Sequence, residues 1–469
     1  MKFVYSSILL VFAFPLPGQP QGQSPDPTDS IEAKVDAIFA EWDSTRSPGC
    51  ALAVMKEGEV IYKRAYGMAN LDYDVPLRTD SVFHVASVSK QFTAAAIVLL
   101  AQEGALILDD PVQKHLARVP DFGHRISLRN LIHHNSGMRD QWSLLRLAGW
   151  RYSRDLITDE DVMSLVSRQK ELNYPPGDRY LYSNTGYTLL GQVVKEVSGQ
   201  TLREFSDARI FKPLGMKQTF FRDDHSEIVK NQAIGYSRDR RNSTLRTSVT
   251  NFDTVGATSL LTTVEDLARW DRNFYQPLVG GEDFLEQMHQ RGTLNSGEKQ
   301  DYAYGLVHGA RKGLRTVGHG GGDAGYRSVF LRFPEQRFTV ACLCNLAQTN
   351  PGDLAGKVAD LYLADELKGE NSETVAQDAS QEVRLSDEEI SRLLGAYWSD
   401  ERGVAVEVRH RHDRLELHLE LQGLRRQAHV MKRVGNGRFE VAELGVSARF
   451  EPQNGEPVRR LIIWSVDKE

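Results

Sequence analysis

The hydrophobic pattern changes its period along the chain and separates a longer N-terminal part from a shorter C-terminal one. Apolar side chains recur at helical spacing over residues 31–42, and residues 87–103 form an alanine-rich apolar run long enough for a buried helix. Two short apolar runs, residues 50–54 and 60–64, flank a Glu-Gly turn. They therefore predict a pair of antiparallel strands near the start of the first part.

The rest of the first part mixes both periods. Apolar side chains recur at helical spacing in residues 159–168, 188–197, 264–274 and 354–367. Strand-like runs occupy residues 304–344, between the third and fourth of these ranges. This order predicts a mixed α/β (α+β) domain over residues 30–367, with an antiparallel sheet flanked by helices and a helical insert.

The C-terminal part follows a polar, acidic stretch. Residues 368–383 contain few side chains that could form a core, so we predict a linker there. A short helix at residues 386–394 comes next. Alternating runs then occur at residues 404–408, 415–419, 438–441, 448–450 and 461–464. Their period of two predicts a small all-β barrel or sandwich over residues 384–469.

The N-terminus has the pattern of a targeting segment. Lys2 precedes an apolar stretch, residues 3–16, and a polar stretch rich in proline, glycine and glutamine follows. The apolar stretch fits a signal peptide and is short for a membrane span. We therefore predict a signal peptide at residues 1–24 and a secreted or periplasmic protein without an integral membrane segment after its removal.

Composition is that of an ordinary globular protein. The 469 residues are 41% hydrophobic and 26% charged, and the formal net charge is −6. This balance gives no reason to expect nucleic acid or an anionic membrane as a partner. Glycines at 320, 321, 322 and 325 match part of a dinucleotide-binding spacing, but a strand-like run follows them instead of a helix. We expect no cofactor and no metal, and the sequence leaves the oligomeric state open.

The three cysteines predict no disulfide framework. Cys342 and Cys344 lie two apart in a strand-like run, so they share a face and are poorly placed to bridge each other. We expect three buried thiols, with a bridge from Cys50 to one of the others left as an alternative.

One serine has the setting of a nucleophile. Ser87 and Lys90 form a Ser-x-x-Lys pair at the head of the alanine-rich helix, one turn apart on one face. An amine in a partly dry pocket can take the serine proton. Ser167 with Lys170 and Ser296 with Lys299 have the same spacing, but no long apolar run follows them. The alternative for Ser87 is a helix N-cap with Lys90 in solvent.

Two further motifs follow in order. Tyr182 and Asn184 form the Tyr-x-Asn of the chain, after a Pro-Pro-Gly-Asp turn. His319 begins a His-Gly-Gly sequence between two strand-like runs. Taken singly, Tyr182 could be a packed aromatic side chain and His319 a turn residue.

Together the motifs resemble those of the serine β-lactamase and penicillin-binding superfamily, especially its class C-like branch of esterases, D-aminopeptidases and D,D-carboxypeptidases. The family uses Ser-x-x-Lys, Tyr-x-Asn and Lys/His-x-Gly in this order. The sequences around Ser87, around Leu131 to Gly137 and around Leu261 to Ala268 are also similar to the family pattern. The C-terminal strands resemble lipocalin-like modules found in some members.

The resemblance implies the role of each residue. Ser87 would attack a carbonyl, Tyr182 would act as general base with its phenolate favoured by Lys90, and Asn184 would orient Lys90 and substrate. His319 would complete the electrostatics beside Tyr182. Gly321 and Gly322 would bind substrate, with the Gly322 N–H and the Ser87 N–H as oxyanion donors. Whether Lys90 or Tyr182 takes the first proton stays open, since they titrate together.

The resemblance also implies the reaction. We expect an exported serine hydrolase that forms an acyl-enzyme with an amide or ester, such as a D-amino-acid peptide, a peptidoglycan-like compound or a small ester. His319 replaces the lysine of most β-lactamases and differs from it in charge at neutral pH, which favours peptidase or esterase over β-lactamase. The alternatives are a β-lactamase and a low-turnover penicillin-binding sensor or scaffold. For the C-terminal module we favour a docking or folding role over restriction of substrate size.

Overall fold

The computed structural model describes residues 30–151, 154–239, 242–367, 386–399, 404–411, 414–420, 427–433, 438–441, 446–451 and 460–465. The predicted signal peptide, residues 1–24, and the predicted linker, residues 368–383, lie outside the described residues. Helices and strands alternate as expected for a mixed α/β fold, and this prediction is confirmed.

The helices of the first part begin and end as follows: α1 Ile31–Phe39, α2 Lys90–Gln102, α3 Val112–His115, α4 Leu128–Ile132, α5 Gln141–Leu147, α6 Asp159–Ser167, α7 Asn184–Ser198, α8 Leu202–Ser206, α9 Lys212–Leu214, α10 Val264–Asn273, α11 Gly281–His289 and α12 Pro351–Tyr362. A 3₁₀ turn, Ala86–Ser89, precedes α2. Throughout the described part of the chain, every helix is too short or too polar to span a bilayer.

The strands of this part are: β1 Cys50–Lys56, β2 Glu59–Tyr66, β3 Met68–Asn70, β4 Val75–Pro76, β5 Phe83–His84, β6 Ile157–Thr158, β7 Phe220–Phe221, β8 Tyr236–Arg238, β9 Leu245–Thr247, β10 Phe252–Asp253, β11 Leu260–Thr262, β12 Val307–Arg311, β13 Leu314–Asp323, β14 Tyr326–Phe333 and β15 Phe338–Cys344.

The main sheet has six strands in the order β12-β13-β14-β15-β1-β2, all antiparallel. The predicted pair at residues 50–54 and 60–64 is its β1–β2 hairpin. The last strand of the sheet in sequence, β15, lies beside the first, which joins the two ends of this part of the chain.

Both faces of the sheet are covered because successive side chains of a strand point to opposite sides. On one face, Leu52 and Val54 of β1 share a core with α1 and α12. On the other face, Ala51, Ala53 and Met55 share a larger core with α2 and the helical middle. All side chains from Lys90 to Leu100 are buried, so α2 is surrounded by protein, as its alanine-rich sequence predicts.

The C-terminal part contains a helix and a meander of strands. Helix α13, Asp387–Leu393, is capped by Ser386. The strands are β16 Gly395–Ser399, β17 Val404–Arg411, β18 Arg414–Glu420, β19 Gln427–Arg433, β20 Arg438–Val441, β21 Val446–Glu451 and β22 Arg460–Ser465, which pair in sequence order into one antiparallel sheet. We predicted a small all-β barrel or sandwich here, and the described residues form a seven-stranded antiparallel sheet whose first and last strands are not paired with each other.

The cysteines differ from the prediction of three thiols. Cys50 and Cys344 form a disulfide, and Cys342 alone is a free, buried thiol. The two bonded residues are directly opposite each other in the β1–β15 pair. The sequence could not show this register because 294 positions separate them.

Candidate active site

A strained turn presents Ser87. Ala86, just before it, has a φ of 47°, a left-handed conformation that alanine rarely adopts. The Ala86 N–H donates to His84 Nδ1 at 3.3 Å, and Ser89 Oγ donates to the Ala86 carbonyl at 2.5 Å. Ser89 Oγ also accepts from the Leu260 N–H at 3.1 Å. Neighbours on two strands therefore fix this turn, and Ser87 lies ahead of α2 instead of within it.

Lys90 is completely buried beside Ser87. Its Nζ donates to Ser87 Oγ at 3.0 Å, to Asn184 Oδ1 at 2.9 Å and to the Ala257 carbonyl at 2.7 Å. Burial lowers the pKa of Lys90 to about 7, while Coulomb interactions with Asp140 and Asp323 act in the opposite direction. Near neutral pH a large share of molecules therefore carries a neutral amine, which can accept a proton from Ser87.

Asn184 is positioned by an acid that the sequence did not single out. Asp140 Oδ2 accepts from the Asn184 backbone N–H at 2.7 Å and from its side-chain Nδ2 at 2.8 Å. The other oxygen, Oδ1, caps α5 by accepting from the N–H groups of Trp142 and Ser143. This fixes the amide of Asn184 with its Oδ1 toward Lys90, at the first residue of α7.

Tyr182 lies in an aromatic cluster. Its ring is 4.1 Å from that of His134 and 6.2 Å from that of Tyr302, measured between centroids, and Lys90 Nζ is 4.8 Å from its ring centroid. Its hydroxyl is buried and makes no hydrogen bond of normal geometry to any described residue. Burial raises the pKa of Tyr182 well above its ordinary value, although the nearby Ser87 hydroxyl acts to lower it. Desolvation outweighs every favourable neighbour here, so this shift of the pKa favours the neutral phenol over the phenolate.

His319 is close to Tyr182 but is engaged elsewhere. Its ring centroid is 6.3 Å from that of Tyr182. Nδ1 lies 2.5 Å from the Gly320 carbonyl, which can only accept, so Nδ1 carries the proton and Nε2 accepts from the Tyr302 hydroxyl at 3.0 Å. Burial, followed by the charge of Lys90, lowers the pKa of His319 to about 4. His319 is therefore neutral and, unlike a lysine, adds no positive charge to the site.

The glycines of the third motif bring β13 against the serine turn. A Cβ at Gly321 would lie 2.3 Å from the Val85 carbonyl oxygen and 3.1 Å from the Ser87 nitrogen, so only glycine fits. Strand β12 pairs with β13 only as far as Gly318. The remaining edge of β13, up to Asp323, faces the turn that carries Ser87, which leaves a strand edge for a substrate backbone.

A cavity of about 230 Å³ joins these elements. Its walls are formed by Ala86, Ser87, Trp142, Tyr182, Asn184, Thr258, Gly322 and Asp323. Four predicted residues, Ser87, Tyr182, Asn184 and Gly322, thus line one space, while Lys90, Gly321 and His319 lie behind its walls. The sequence analysis missed Asp140, Trp142, Thr258 and Asp323. The one signal for Asp323 was its place directly after the glycines.

Two sets of possible metal ligands occur elsewhere in the described chain. One is the cysteine trio, in which Cys50 and Cys344 are already bonded to each other. The other is Asp224, His225 and Asp253, where Asp253 accepts from His225. Neither set contributes a residue to the cavity.

The model of the Beta-lactamase family matches residues 34–365. Penicillin-binding protein 4* of Bacillus subtilis (strain 168) is 30% identical over 382 residues, which cover 77% of this chain and 82% of that protein. The D-aminopeptidase of Brucella anthropi is 26% identical over 381 residues, which cover 81% of this chain and 68% of that protein.

Solved structures share the fold. The octameric penicillin-binding protein homologue from Pyrococcus abyssi superposes with a TM-score of 0.63 at 24% identity, covering 93% of this chain and 96% of its own. The D-amino acid amidase from Ochrobactrum anthropi SV3 gives a TM-score of 0.60 at 20% identity, covering 72% of this chain and 99% of its own. These similarities confirm the predicted fold.

Proposed function

The chain belongs to the Beta-lactamase family, and from that premise we propose that it is an exported serine hydrolase that cleaves amides or esters of D-amino acids through an acyl-enzyme at Ser87. The observation that supports this most directly is the contact between the buried Lys90 amine and Ser87 Oγ, at 3.0 Å, on the wall of a cavity. We further propose residues 30–367 as the hydrolase domain and residues 384–469 as an appended module.

The proposed reaction uses the residues in a fixed order. Neutral Lys90 accepts the Ser87 proton as Oγ attacks the substrate carbonyl. The N–H groups of Ser87 and Gly322 would bind the negative oxygen of the tetrahedral intermediate. When the carbon–nitrogen or carbon–oxygen bond breaks, the leaving group takes a proton from the neutral Tyr182 phenol, which is restored from Lys90. Water then attacks the acyl-enzyme by the same steps and releases the acid.

Different observations support the proposed substrate class and the proposed export of the protein. Similarity to a D-aminopeptidase and to D-amino acid amidase structures favours amides of D-amino acids. The neutral His319 gives no positive charge to bind the carboxylate of a β-lactam, which favours a peptidase or amidase over a β-lactamase. The Cys50–Cys344 disulfide favours export, since such bonds persist mainly outside the reducing cytosol.

The test is covalent labelling by a fluorophosphonate, followed by intact mass. Wild type should gain one adduct and Ser87→Ala none, because the probe needs an activated serine. Ser296→Ala is the matched control: it has a lysine at the same spacing but is exposed, and it should label like wild type. Labelling of Ser87→Ala would show that another residue is the nucleophile.

A low-turnover penicillin-binding protein is the second candidate, favoured by the similarity to penicillin-binding protein 4*. Incubation with one equivalent of a penicillin separates the two. Hydrolysis of D-amino acid amides supports the proposed hydrolase, whereas a penicillin adduct that persists, with no hydrolysis of these amides, supports the binding protein.

A further inference from the structure

Asp323 is a buried acid for which the proposed reaction has no role. It lines the same cavity as Ser87 and is only 5% exposed. Thr258 Oγ1 donates to its Oδ2 at 3.0 Å, but its Oδ1 makes no hydrogen bond of normal length and angle to any described residue. A buried carboxyl oxygen without a donor is costly, so this atom is a candidate for contact with a ligand.

The surroundings of Asp323 show what kind of ligand would suit it. Burial raises its pKa to about 8, while Arg327, Lys90 and the Ala324 N–H act to lower it. His84, with its Nε2 at 3.9 Å from Oδ2, has its pKa lowered to about 3 by burial and is neutral. The existing charges therefore stabilise the carboxylate incompletely. A donor that also carries positive charge would complete the stabilisation.

We propose that Asp323 binds the α-ammonium group on the acyl side of the substrate, so that the enzyme selects compounds with a free amino terminus. This rests on the proposed function at Ser87. The size of the cavity supports the acyl side: about 230 Å³ is below the roughly 300–1,000 Å³ of sites for drug-sized ligands. An amino group inside it must lie within a few bonds of the carbonyl that meets Ser87.

Arg327 offers the opposite specificity, for a carboxylate. Its side chain lies 3.5 Å from the position that a Cβ would take at Gly322. However, its Nη1 already donates to the carbonyls of Ala324 and Tyr326, at 3.2 and 2.7 Å. Nη1 of Arg327 is thus in use, whereas Asp323 Oδ1 accepts from no described donor, and this difference favours the ammonium ligand.

The test measures binding without turnover. In the Ser87→Ala background, the dissociation constants of D-alaninamide and N-acetyl-D-alaninamide are determined by ligand-observed NMR at pH 7. We expect D-alaninamide to bind about tenfold or more tightly, as for a charge-assisted hydrogen bond. Adding Asp323→Asn should reduce the ratio to about one. Adding Asp159→Asn should leave it unchanged, because Asp159 is another acid whose pKa is raised by desolvation, but it is only partly buried and does not line the cavity.

Each outcome decides the proposal. Equal affinity for the two ligands, or a preference that survives Asp323→Asn, would overturn it. Tighter binding of N-acetyl-D-alanine than of either amide would assign the cavity to carboxylates. If Asp323→Asn does not fold, Asp323→Ser replaces it with the same expected loss. Failure of the proposed function would show separately, as a wild type that neither labels nor hydrolyses while the amine preference remains.

Discussion

Two walls of the cavity differ in how their polar atoms are satisfied. On one wall, Asn184 bonds to Lys90 and Asp140, which lie behind that wall, in a chain of hydrogen bonds that also includes the cap of α5. On the other, the Tyr182 hydroxyl and Asp323 Oδ1 are buried and make no normal hydrogen bond within the described structure. A complete network rigidifies a site, whereas incomplete groups store a desolvation cost.

The two walls differ in when their hydrogen bonds form: one set exists before substrate binds, and the other would form with the substrate. In the proposed reaction, Lys90 needs a fixed position and a lowered pKa before substrate arrives, and its contacts are made by the protein. Tyr182 and Asp323 would find their partners only in the substrate complex, where bonds made late contribute to catalysis or selectivity. Substitutions on the two walls should therefore affect activity and stability in different proportions.

The largest effect is expected on the complete wall, from Lys90→Met. Loss of the amine removes the proton acceptor for Ser87, so kcat/KM should fall by about 10³-fold. The fluorophosphonate labelling rate should fall in parallel. Lys170→Met is the control, since its lysine belongs to a Ser-x-x-Lys pair outside the cavity. A folded Lys90→Met variant with activity within tenfold of wild type would remove Lys90 from the mechanism.

On the incomplete wall, Tyr182→Phe removes the buried hydroxyl group that has no hydrogen-bond partner. We expect kcat/KM to fall by about 10²-fold because the leaving group loses its proton donor. The free energy of unfolding should be unchanged or rise by about 1 kcal/mol, since the lost hydroxyl has no partner. Denaturant titration measures this.

The matched variant is Tyr187→Phe, whose hydroxyl donates to the Ile132 carbonyl at 2.9 Å. It should lose about 1 kcal/mol of unfolding free energy. If Tyr182→Phe destabilises more than Tyr187→Phe, then the Tyr182 hydroxyl has a partner in solution and the contrast between the walls is wrong.

The smallest effect is expected from Asp140→Asn, which tests how charge beside the complete wall sets the pKa of Lys90. Because the charge of Asp140 raises the pKa of Lys90, Asp140→Asn should lower that pKa below its value of about 7. In wild type, kcat/KM should rise with pH through about 7 as Lys90 loses its proton. In Asp140→Asn, this limb should shift to lower pH, and the maximum rate should drop by about tenfold because Asn184 is less firmly held.

Asp178→Asn is the control for this profile, since Asp178 is exposed and is not a cause of the shift at Lys90. A limb that does not move in Asp140→Asn, or moves to higher pH, would show that another group sets the pH dependence.

Motif residues of the site could be predicted because each motif is local. Ser87 and Lys90 are one turn apart, and Tyr182 and Asn184 precede one helix, so the sequence places each pair without further information. Asp140 and Asp323 could not be found in this way. Their contacts depend on where separate elements meet: Asp140 is 44 positions from Asn184, and Asp323 is 65 positions from Thr258.

The secondary structure shows the same division. The hairpin β1–β2 and helix α2 follow from their hydrophobic patterns. Strands β16 and β19 were missed, because Gly395–Ser399 and Gln427–Arg433 lack a clear alternation. A bridge from Cys50 was only an alternative in the sequence, because the Cys50–Cys344 pairing depends on the register of two strands that are far apart along the chain.

By itself, the sequence determined the mixed fold, the family resemblance and the residue types that can form an acyl-enzyme. These features could be predicted because the hydrophobic periodicity and the motifs extend over only short segments of the sequence. Only the tertiary structure decided which titratable groups are buried together: burial lowers the pKa of Lys90 to about 7 and raises that of Tyr182, and Asp323 lines the same cavity as Ser87. Desolvation and Coulomb interactions depend on distances between remote segments, and those distances exist only in the folded chain.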